Sequence, residues 1–208
     1  VTRMSALVDQ IAELYKAGVE VILISSGAVA SGRSELKPSK KLDSVDQRQL
    51  FSAVGQAKLT NRYYELFRDH GISVGQVLTM KENFSTRRHY LNQRNCMMVM
   101  LENGVIPIVN ENDTVSVTEL MFTDNDELSG LIARLMHADT LILLSNIDGL
   151  YNGRPGDEGV ALIPVVEAGH DVSEYIQTEK SGVGRGGMQS KCKTAIDVAA
   201  SGIDVLLA

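Results

Sequence analysis

One pattern recurs along this chain: an amphipathic stretch ends in glycine, and an apolar run rich in β-branched residues follows at once. It is seen in the strings YKAGVEVILI, FRDHGISVGQVL, LENGVIPIVN and AASGIDVLLA. Glycine just after a helix accepts the left-handed backbone conformation that ends the helix cleanly. The pattern therefore predicts helices and strands in alternation along most of the chain, which favours an α/β fold.

The apolar runs predict strands that are buried on both faces. Val19–Ile24, Val105–Val109 and Thr140–Leu144 are almost continuously apolar rather than alternating. Strands of this kind belong to parallel sheets that helices cover on both sides. We therefore predict a three-layer αβα, doubly wound fold with a mainly parallel sheet. No linker rich in Pro, Ser or Gly divides the chain, so a single domain is expected over residues 1–208.

Helical periodicity and capping signals place helices between these strands. A short strand and a short helix are expected within Val160–Ile176. The chain opens in a helix and closes on a strand, so we expect it to be truncated at both ends relative to a longer protein. The predicted helices are Arg3–Lys16, Val45–Asp69, Thr86–Glu102, Asp126–His137 and Met188–Ser201.

Composition excludes several classes of function. Apolar residues make up 44% of the 208 residues, so a sizeable core is expected. The formal net charge of −6 leaves no basic surplus for general binding to nucleic acid. No apolar run has the length of a membrane span, and no signal peptide opens the chain. The cysteines, Cys96 and Cys192, are expected to be reduced, buried thiols of a cytoplasmic protein, without zinc.

Candidate ligand-binding residues follow the predicted strands. SSGAVASG comes after the first run, NENDTV after Val105–Val109, and SNIDGLYNG after Thr140–Leu144. In open α/β sheets, ligands bind beyond the carboxyl ends of the strands. We therefore expect these segments to converge on one edge of the sheet.

The first of these segments suits an anion. It offers the Ser26 hydroxyl and the backbone N–H groups of Gly27 and Ala28 at the start of a helix. An N-cap with small residues for tight packing explains the same residues equally well. The segment lacks the pattern GxGxxG, so a dinucleotide site is not indicated.

Two clusters of acids and amides stand some ten residues apart. The first, Asn110 to Asp113, combines carboxylates and carboxamides, which suit an ammonium group, although a polar loop with Asx turns would carry the same residues. In the second, Asp124 or Asn125 can cap a helix, and Asp126 suits its first turn. Capping accounts for part of this second cluster. The spacing is not that of a calcium-binding EF-hand.

A glycine-rich basic stretch, KSGVGRGGMQSK, spans Lys180 to Lys191 and leads into a helix. Its glycines let the backbone approach a ligand closely, and Arg185 and Lys191 add positive charge beside the N–H groups of the helix start. This combination favours polyphosphate binding. A flexible surface linker is the alternative interpretation. The Walker A pattern is absent.

Together these strings resemble the amino acid kinase family, and within it the branch that phosphorylates glutamate. The matching segments are ISSGAVASGR, QRQLFSAVGQ, VIPIVNENDTV, TDNDELSGLIA, LILLSNIDGLY and SGVGRGGMQSK, and they occur in the family's order over nearly the whole chain. The resemblance implies transfer of the γ-phosphoryl group of ATP, with Mg²⁺ carried by the nucleotide, to the side-chain carboxylate of glutamate. The product is glutamyl 5-phosphate, in the first step of proline biosynthesis. The resemblance also implies a cytoplasmic homo-oligomer without membrane or nucleic-acid partners.

The resemblance further implies roles for individual residues. Lys191 would stabilise the transferring phosphoryl group, and Asp126 would organise the catalytic lysines. A strand carrying a second lysine is expected before Val1. Asn146 stands where the family usually has an acid. The implied glutamate-binding residues are Ser26, Gly27, Ala28, Asn110, Asp113 and Asn125, and the implied ATP-binding residues are Ser145, Asn146, Arg185, Gly186, Gly187, Met188, Gln189, Ser190 and Lys191.

Other functions fit parts of the same pattern. Acetylglutamate and carbamate kinases share the fold but carry different strings. A non-catalytic amino-acid sensor on the same fold is a further alternative, because fold alone does not establish activity. An NAD(P)-dependent enzyme is suggested by the α/β architecture only, since the GxGxxG fingerprint is missing.

Overall fold

The computed structural model describes residues 2–116, 122, 124–153, 156–167, 172 and 187–208. The chain divides into two compact units, Val1–Met121 and Phe122–Ala208, and each is described by itself. Both units have an α/β architecture with parallel strands, which confirms the predicted fold class. The assignment of residues 1–208 to one domain stays a prediction.

The first unit contains a parallel sheet of the strands Leu23–Ile24 (β1), Ser73–Thr79 (β2) and Val105–Glu111 (β3), in the order β1–β3–β2. Its register places Ile24 opposite Val109 and Thr79 opposite Glu111. The carboxyl ends of the strands therefore meet at one edge. In chain order its elements are α1 Arg3–Lys16, β1 Leu23–Ile24, α2 Ala28–Glu35, α3 Ser44–Arg68, β2 Ser73–Thr79, a 3-10 helix Lys81–Phe84, α4 Arg87–Glu102 and β3 Val105–Glu111.

Helices cover both faces of this sheet. The side chains of Ile106 and Ile108 on β3 are buried in a cluster with Val8 of α1 and Phe67 of α3. On the opposite face α4 contacts β3, and the Met100 side chain lies beside Gly75 on β2. The two-sided burial of β3 follows from its apolar sequence, as predicted.

The second unit contains the two-stranded parallel sheet β4–β5, in which Thr140 lies opposite Asp204. Leu141 and Leu143 are buried with residues of both helices of this unit. Ile142, between them on the opposite face of the strand, is 50% exposed. The prediction of burial on both faces is therefore wrong for this strand. The elements are α5 Asn125–Met136, β4 Thr140–Leu143, α6 Met188–Ala199 and β5 Asp204–Leu207.

Helix ends follow from local sequence chemistry. The Asp43 carboxylate accepts hydrogen bonds from the first backbone N–H groups of α3, and the Thr86 hydroxyl accepts one at the start of α4. Gly18, Gly71 and Gly104 take positive φ angles of 88°, 73° and 68° directly before the predicted strands. The predicted glycine stops are therefore confirmed.

Several details differ from the sequence-based predictions. The first strand is shorter than predicted because only Leu23 and Ile24 pair with β3. Helix α2 was predicted only as a helix start, and the 3-10 helix was not predicted. Cys192 is buried but Cys96 is exposed, because it lies on the outer side of α4. In Val160–Ile176, the described part holds one antiparallel bridge, from Leu162 to Tyr151. Residues 168–171 and 173–186 lie outside the described residues.

Among the helices of the described ranges, none is both long and apolar enough to cross a bilayer.

Candidate functional site

The loop after β1 leads into the N-terminus of α2, as predicted. Gly27 is the N-cap residue and has a left-handed backbone, with φ 99°, which favours glycine. Ser26 is exposed and Ala28 is buried. The hydroxyl of Ser25 donates a hydrogen bond of 3.1 Å to the Tyr63 hydroxyl on α3. The loop therefore presents the Ser26 hydroxyl and the first backbone N–H groups of α2. The hydrogen bond of Ser25 to Tyr63 connects the loop to α3.

Helices α2 and α3 cross with their backbones in contact. A Cβ atom on Gly55 of α3 would overlap the carbonyl oxygen of Ala28, and one on Gly32 of α2 would overlap the carbonyl oxygen of Phe51. Glycine at both positions is therefore a steric requirement of the crossing. Because Ala28 starts α2, the contact also fixes the loop that precedes it.

Asn110 at the end of β3 is held on both sides of its amide. Its Nδ2 donates to Gln56 Oε1 at 2.9 Å, and its Oδ1 accepts from the backbone N–H of Glu111 at 2.9 Å. Asn112, one residue beyond the strand, donates its backbone N–H to the Thr79 carbonyl at 2.8 Å. The Asn-rich segment is therefore an ordered extension of the sheet edge.

Two carboxylates at this edge share one arginine. Arg48 Nη2 donates to Glu111 Oε2 at 2.8 Å, and Arg48 Nε donates to Asp113 Oδ1 at 2.5 Å. The second oxygen of Asp113 accepts from the Ser52 hydroxyl at 3.4 Å. The side chains of Arg48, Glu111 and Asp113 are 18%, 6% and 9% exposed, so the group is mostly shielded from water. The formal charges of these two carboxylates and one guanidinium sum to −1.

An open cavity of about 240 Å³ adjoins this cluster. Its lining includes the side of α3 that carries Ser52 and Gln56, the last residue of β3, Glu111, and the polar residues Asp113 and Thr114 that follow it. The cavity therefore lies at the carboxyl edge of the sheet, where ligands of α/β proteins bind.

Arg48 was not selected as a site residue from the sequence. The signal that points to it is the spacing on α3: Arg48, Ser52 and Gln56 stand four residues apart and share one face of the helix. Each of the three contacts a polar residue at the end of β3. A row of polar residues at this spacing, on a helix that also packs against the core, indicates a buried polar contact.

In the second unit, Asp124 caps α5, and it is one of the two residues predicted as candidates for this cap. Its Oδ1 accepts from the backbone N–H of Glu127 at 2.9 Å. Asn125 and Asp126 form the start of the helix. Asp126 Oδ1 accepts a hydrogen bond of 2.8 Å from Lys191 Nζ, and these side chains are 15% and 18% exposed. The structure thus brings together the predicted acid and the predicted lysine.

Lys191 lies in the first turn of α6, which begins at Met188. Its backbone N–H reaches the Gly187 carbonyl at 3.3 Å. Among the described residues, apart from its chain neighbours, no heavy atom lies within 4 Å of the position that a Cβ of Gly187 would take. A helix N-terminus that begins after a glycine suits a phosphate group, because its first backbone N–H groups have no partner within the helix. Gln189 and Ser190 belong to the same turn.

Ser145 and Asn146 follow β4. The Ser145 backbone N–H donates to the Ala208 carbonyl, and its hydroxyl lies 3.5 Å from Asn146 Oδ1. Asn146 is exposed. Both residues stand at the carboxyl edge of the β4–β5 sheet, where they were predicted. Arg185 and Gly186 lie outside the described residues.

The described part of the chain holds no group of three or more His, Cys, Asp or Glu side chains that could bind a metal ion. Next to Lys191, burial raises the pKa of the Cys192 thiol above its ordinary value.

Several known proteins are similar to this chain over nearly its whole length. Residues 1–208 match the model of the amino acid kinase family. A protein named glutamate 5-kinase from Bacteroides thetaiotaomicron is 76% identical over 208 residues, which are 100% of this chain and 58% of that protein. A glutamate 5-kinase from Chlorobaculum tepidum is 47% identical over 99% of this chain and 56% of its own length. Glutamate 5-kinase 2 from Bacillus subtilis is 43% identical over 98% of this chain and 55% of its own length. The chain thus spans somewhat more than half the length of these relatives.

Proposed function

Because the chain belongs to the amino acid kinase family, we propose that it transfers the γ-phosphoryl group of ATP to the side-chain carboxylate of glutamate. The observation that carries the proposal is the contact of 2.8 Å between Lys191 Nζ and Asp126 Oδ1 at the N-terminus of α6. The 76% identity to a protein named glutamate 5-kinase supports glutamate as the acceptor.

The proposed donor is ATP, held by the first turn of α6. Lys191 and the N–H groups of this turn would place positive charge against the phosphates, and Gly187 precedes the turn as its N-cap residue. Ser145, Asn146, Arg185 and Gly186 complete the proposed nucleotide site. Mg²⁺ bound to the ATP phosphates supplies further neutralisation of charge.

Most of the proposed acceptor ligands belong to the first unit. The net charge of −1 on the cluster of Arg48, Glu111 and Asp113 suits the ammonium group of an amino acid. The helix N–H groups at Ser26–Ala28 suit a carboxylate. Asn110 and Asn125 remain in the proposal as further glutamate ligands.

In the proposed reaction, an oxygen of the glutamate side-chain carboxylate forms a bond to the γ-phosphorus of ATP. The bond from that phosphorus to the bridging oxygen of the β-phosphate breaks, and ADP leaves with the electron pair. A glutamate side chain has a pKa near ~4.3, so the nucleophile is already an anion and no base is needed. Asp126 therefore orients Lys191 and does not accept a proton, while Lys191 stabilises the charge that develops on the phosphoryl oxygens.

The metabolic role, the location and the oligomeric state are proposed from the family resemblance. The product, glutamyl 5-phosphate, would serve as the first intermediate of proline biosynthesis. We further propose that the protein is cytoplasmic and homo-oligomeric. The names of the relatives support the proposed phosphorylation of glutamate. The oligomeric state is tested separately, by measuring the mass of the protein in solution.

A coupled assay tests the proposal in the full-length protein that contains this chain. ATP, Mg²⁺ and glutamate are supplied, ADP release is recorded, and N-acetylglutamate and carbamate serve as alternative acceptors. ADP release that depends on glutamate is the expected result. Release with N-acetylglutamate or carbamate, and none with glutamate, would assign a different acceptor. Binding of glutamate without any ADP release would identify a sensor rather than a kinase.

A further inference from the structure

The Asp113 carboxylate is held in one orientation through both of its oxygens. Oδ1 accepts from Arg48 Nε at 2.5 Å, and Oδ2 accepts from the Ser52 hydroxyl at 3.4 Å. Arg48 and Ser52 are four residues apart on α3, so both contacts come from one face of one helix. The orientation of the Asp113 carboxylate therefore depends on α3.

Arg48 is itself fixed from two sides. Its Nε and Nη2 atoms belong to one planar guanidinium, and they contact Asp113 and Glu111 at once. The N–H donors of a guanidinium lie in one plane at fixed angles, so the guanidinium fixes the angle between its two partners. The ammonium group of a lysine does not fix this angle. Glu111 is the last residue of β3, so Arg48 links the orientation of Asp113 to the end of the central strand.

We propose that Arg48 is a positioning residue for the acceptor: it holds the Asp113 carboxylate at the orientation that receives the ammonium group of the amino-acid substrate. This inference rests on the proposed function, which makes Asp113 an acceptor ligand. Arg48 also reduces the charge of the Glu111–Asp113 pair from −2 to −1, matching it to a single ammonium group. In this role it acts through Asp113 rather than on the reacting atoms.

The first test is Arg48→Lys in the full-length protein, measured as steady-state kinetics. The substitution keeps the positive charge and removes the planar guanidinium. Since a contact to the ammonium group binds the ground state and transition state alike, KM for glutamate should rise about tenfold, while kcat and KM for ATP change less than about threefold. Arg62→Lys is the matched control, because Arg62 lies on the same helix with its side chain 48% exposed. Its kinetics should equal those of the wild type.

Equal rises in KM for both substrates, or no rise in KM for glutamate, would overturn the inference. The second test separates positioning from a structural role. In an Asp113→Asn background, Arg48→Lys should add less than about twofold to KM for glutamate, because the group that Arg48 positions has already lost its charge. If Arg48→Lys raises KM for glutamate by a further factor of about ten in the Asp113→Asn background, Arg48 acts independently of Asp113.

A further readout keeps the inference separate from the proposed function. If the wild type releases no ADP with glutamate, the proposed function fails, and the inference is then judged on crystal structures of the wild type and the Arg48→Lys protein. A rotated Asp113 carboxylate in the variant is the expected result. An unmoved Asp113 would overturn the positioning role. These structures also serve if Arg48→Lys is too unstable for kinetics at the usual temperature, since crystals can be grown in the cold.

Discussion

Lys191 and Asp126 stand in the first turns of two different helices, and their side chains meet at 2.8 Å although 65 residues separate them in sequence. Arg48 and Asp113 form a second contact across the same sequence distance of 65 residues. Each ion pair is mostly shielded from water, so each is held in a defined geometry. Substitutions at these residues therefore report on positioning as well as on charge.

Lys191→Met removes the proposed phosphoryl-stabilising charge while retaining most of the side-chain volume. We expect kcat to fall by about 10²–10³-fold, because a lost donor to a developing oxyanion costs on that scale. Lys193→Met is the control, since Lys193 is an exposed residue of the same helix. Steady-state kinetics with glutamate and ATP measure both variants. A kcat that is unchanged in Lys191→Met would remove Lys191 from the mechanism.

The two cysteines should differ in reactivity. Cys96 is exposed, whereas Cys192 is buried and its pKa is raised by desolvation. A thiol reagent at pH 8 should therefore modify Cys96 rapidly in the folded protein, and Cys192 only on unfolding. Time-resolved labelling with mass spectrometry measures the two rates. Comparable rates at both positions would contradict the burial of Cys192.

The raised pKa of Cys192 also predicts a dependence of stability on pH. Below the pKa of the unfolded thiol, both states keep the proton and the contribution of burying Cys192 is fully present. As the pH rises above ~8.5, the unfolded chain loses the proton first, so this contribution is lost progressively through the higher folded pKa. The difference in Tm between wild type and Cys192→Ala should therefore shrink between pH 8 and pH 10. A difference that stays constant would show that Cys192 does not titrate in this way.

At the scale of elements, the crossing of α2 and α3 controls the first unit's site. Helix α3 carries the polar row that holds Asn110 and Asp113, and α2 begins with the loop at Ser26. The two helices touch through the backbone at Gly32 and Gly55. Any change in their separation should therefore move the loop and the polar row relative to each other.

Gly55→Ala tests this crossing. In an exposed helix the change would stabilise by up to about 1 kcal/mol, because alanine has the higher helix propensity. Here the new Cβ would overlap the Ala28 carbonyl, so we expect a loss of about 1–3 kcal/mol in the free energy of unfolding, as for other overpacked sites. Denaturant-induced unfolding curves measure this free energy of unfolding. Lys58→Ala, at an exposed pair with Glu35, should change it by less than about 1 kcal/mol. A gain in stability from Gly55→Ala would show that α2 and α3 are not in close contact.

At the scale of the whole molecule, a specific ligand should raise the stability of the fold. A ligand that binds only the native state stabilises it by about 2.7 kcal/mol when present at about 100 times its Kd. We expect glutamate to raise the Tm of the full-length protein, and we expect N-acetylglutamate to leave it unchanged because its nitrogen carries no charge. Thermal-shift measurements over a concentration series test this. A larger shift from N-acetylglutamate would contradict an acceptor site built for an ammonium group.

Much of the fold was predictable because its signals are local. Glycine stops, N-caps such as Asp124, and apolar runs act over a few residues, so neighbouring sequence determines where helices and strands begin and end. The predicted bounds of α1 agree with the structure, and those of α3 and α5 are shifted by one residue. The position of the polar clusters at strand ends follows from the same local signals.

The partners of the polar residues were decided only by the tertiary structure. Arg48 reaches Glu111 and Asp113 across 63 and 65 residues because the register of β3 and the rotation of α3 place them face to face. The pairing of Lys191 with Asp126 was implied by family resemblance and not by local sequence. The exposure of Cys96 and Ile142 likewise depends on which faces other elements cover. Local chemistry sets the elements, whereas contacts between distant residues depend on how those elements pack.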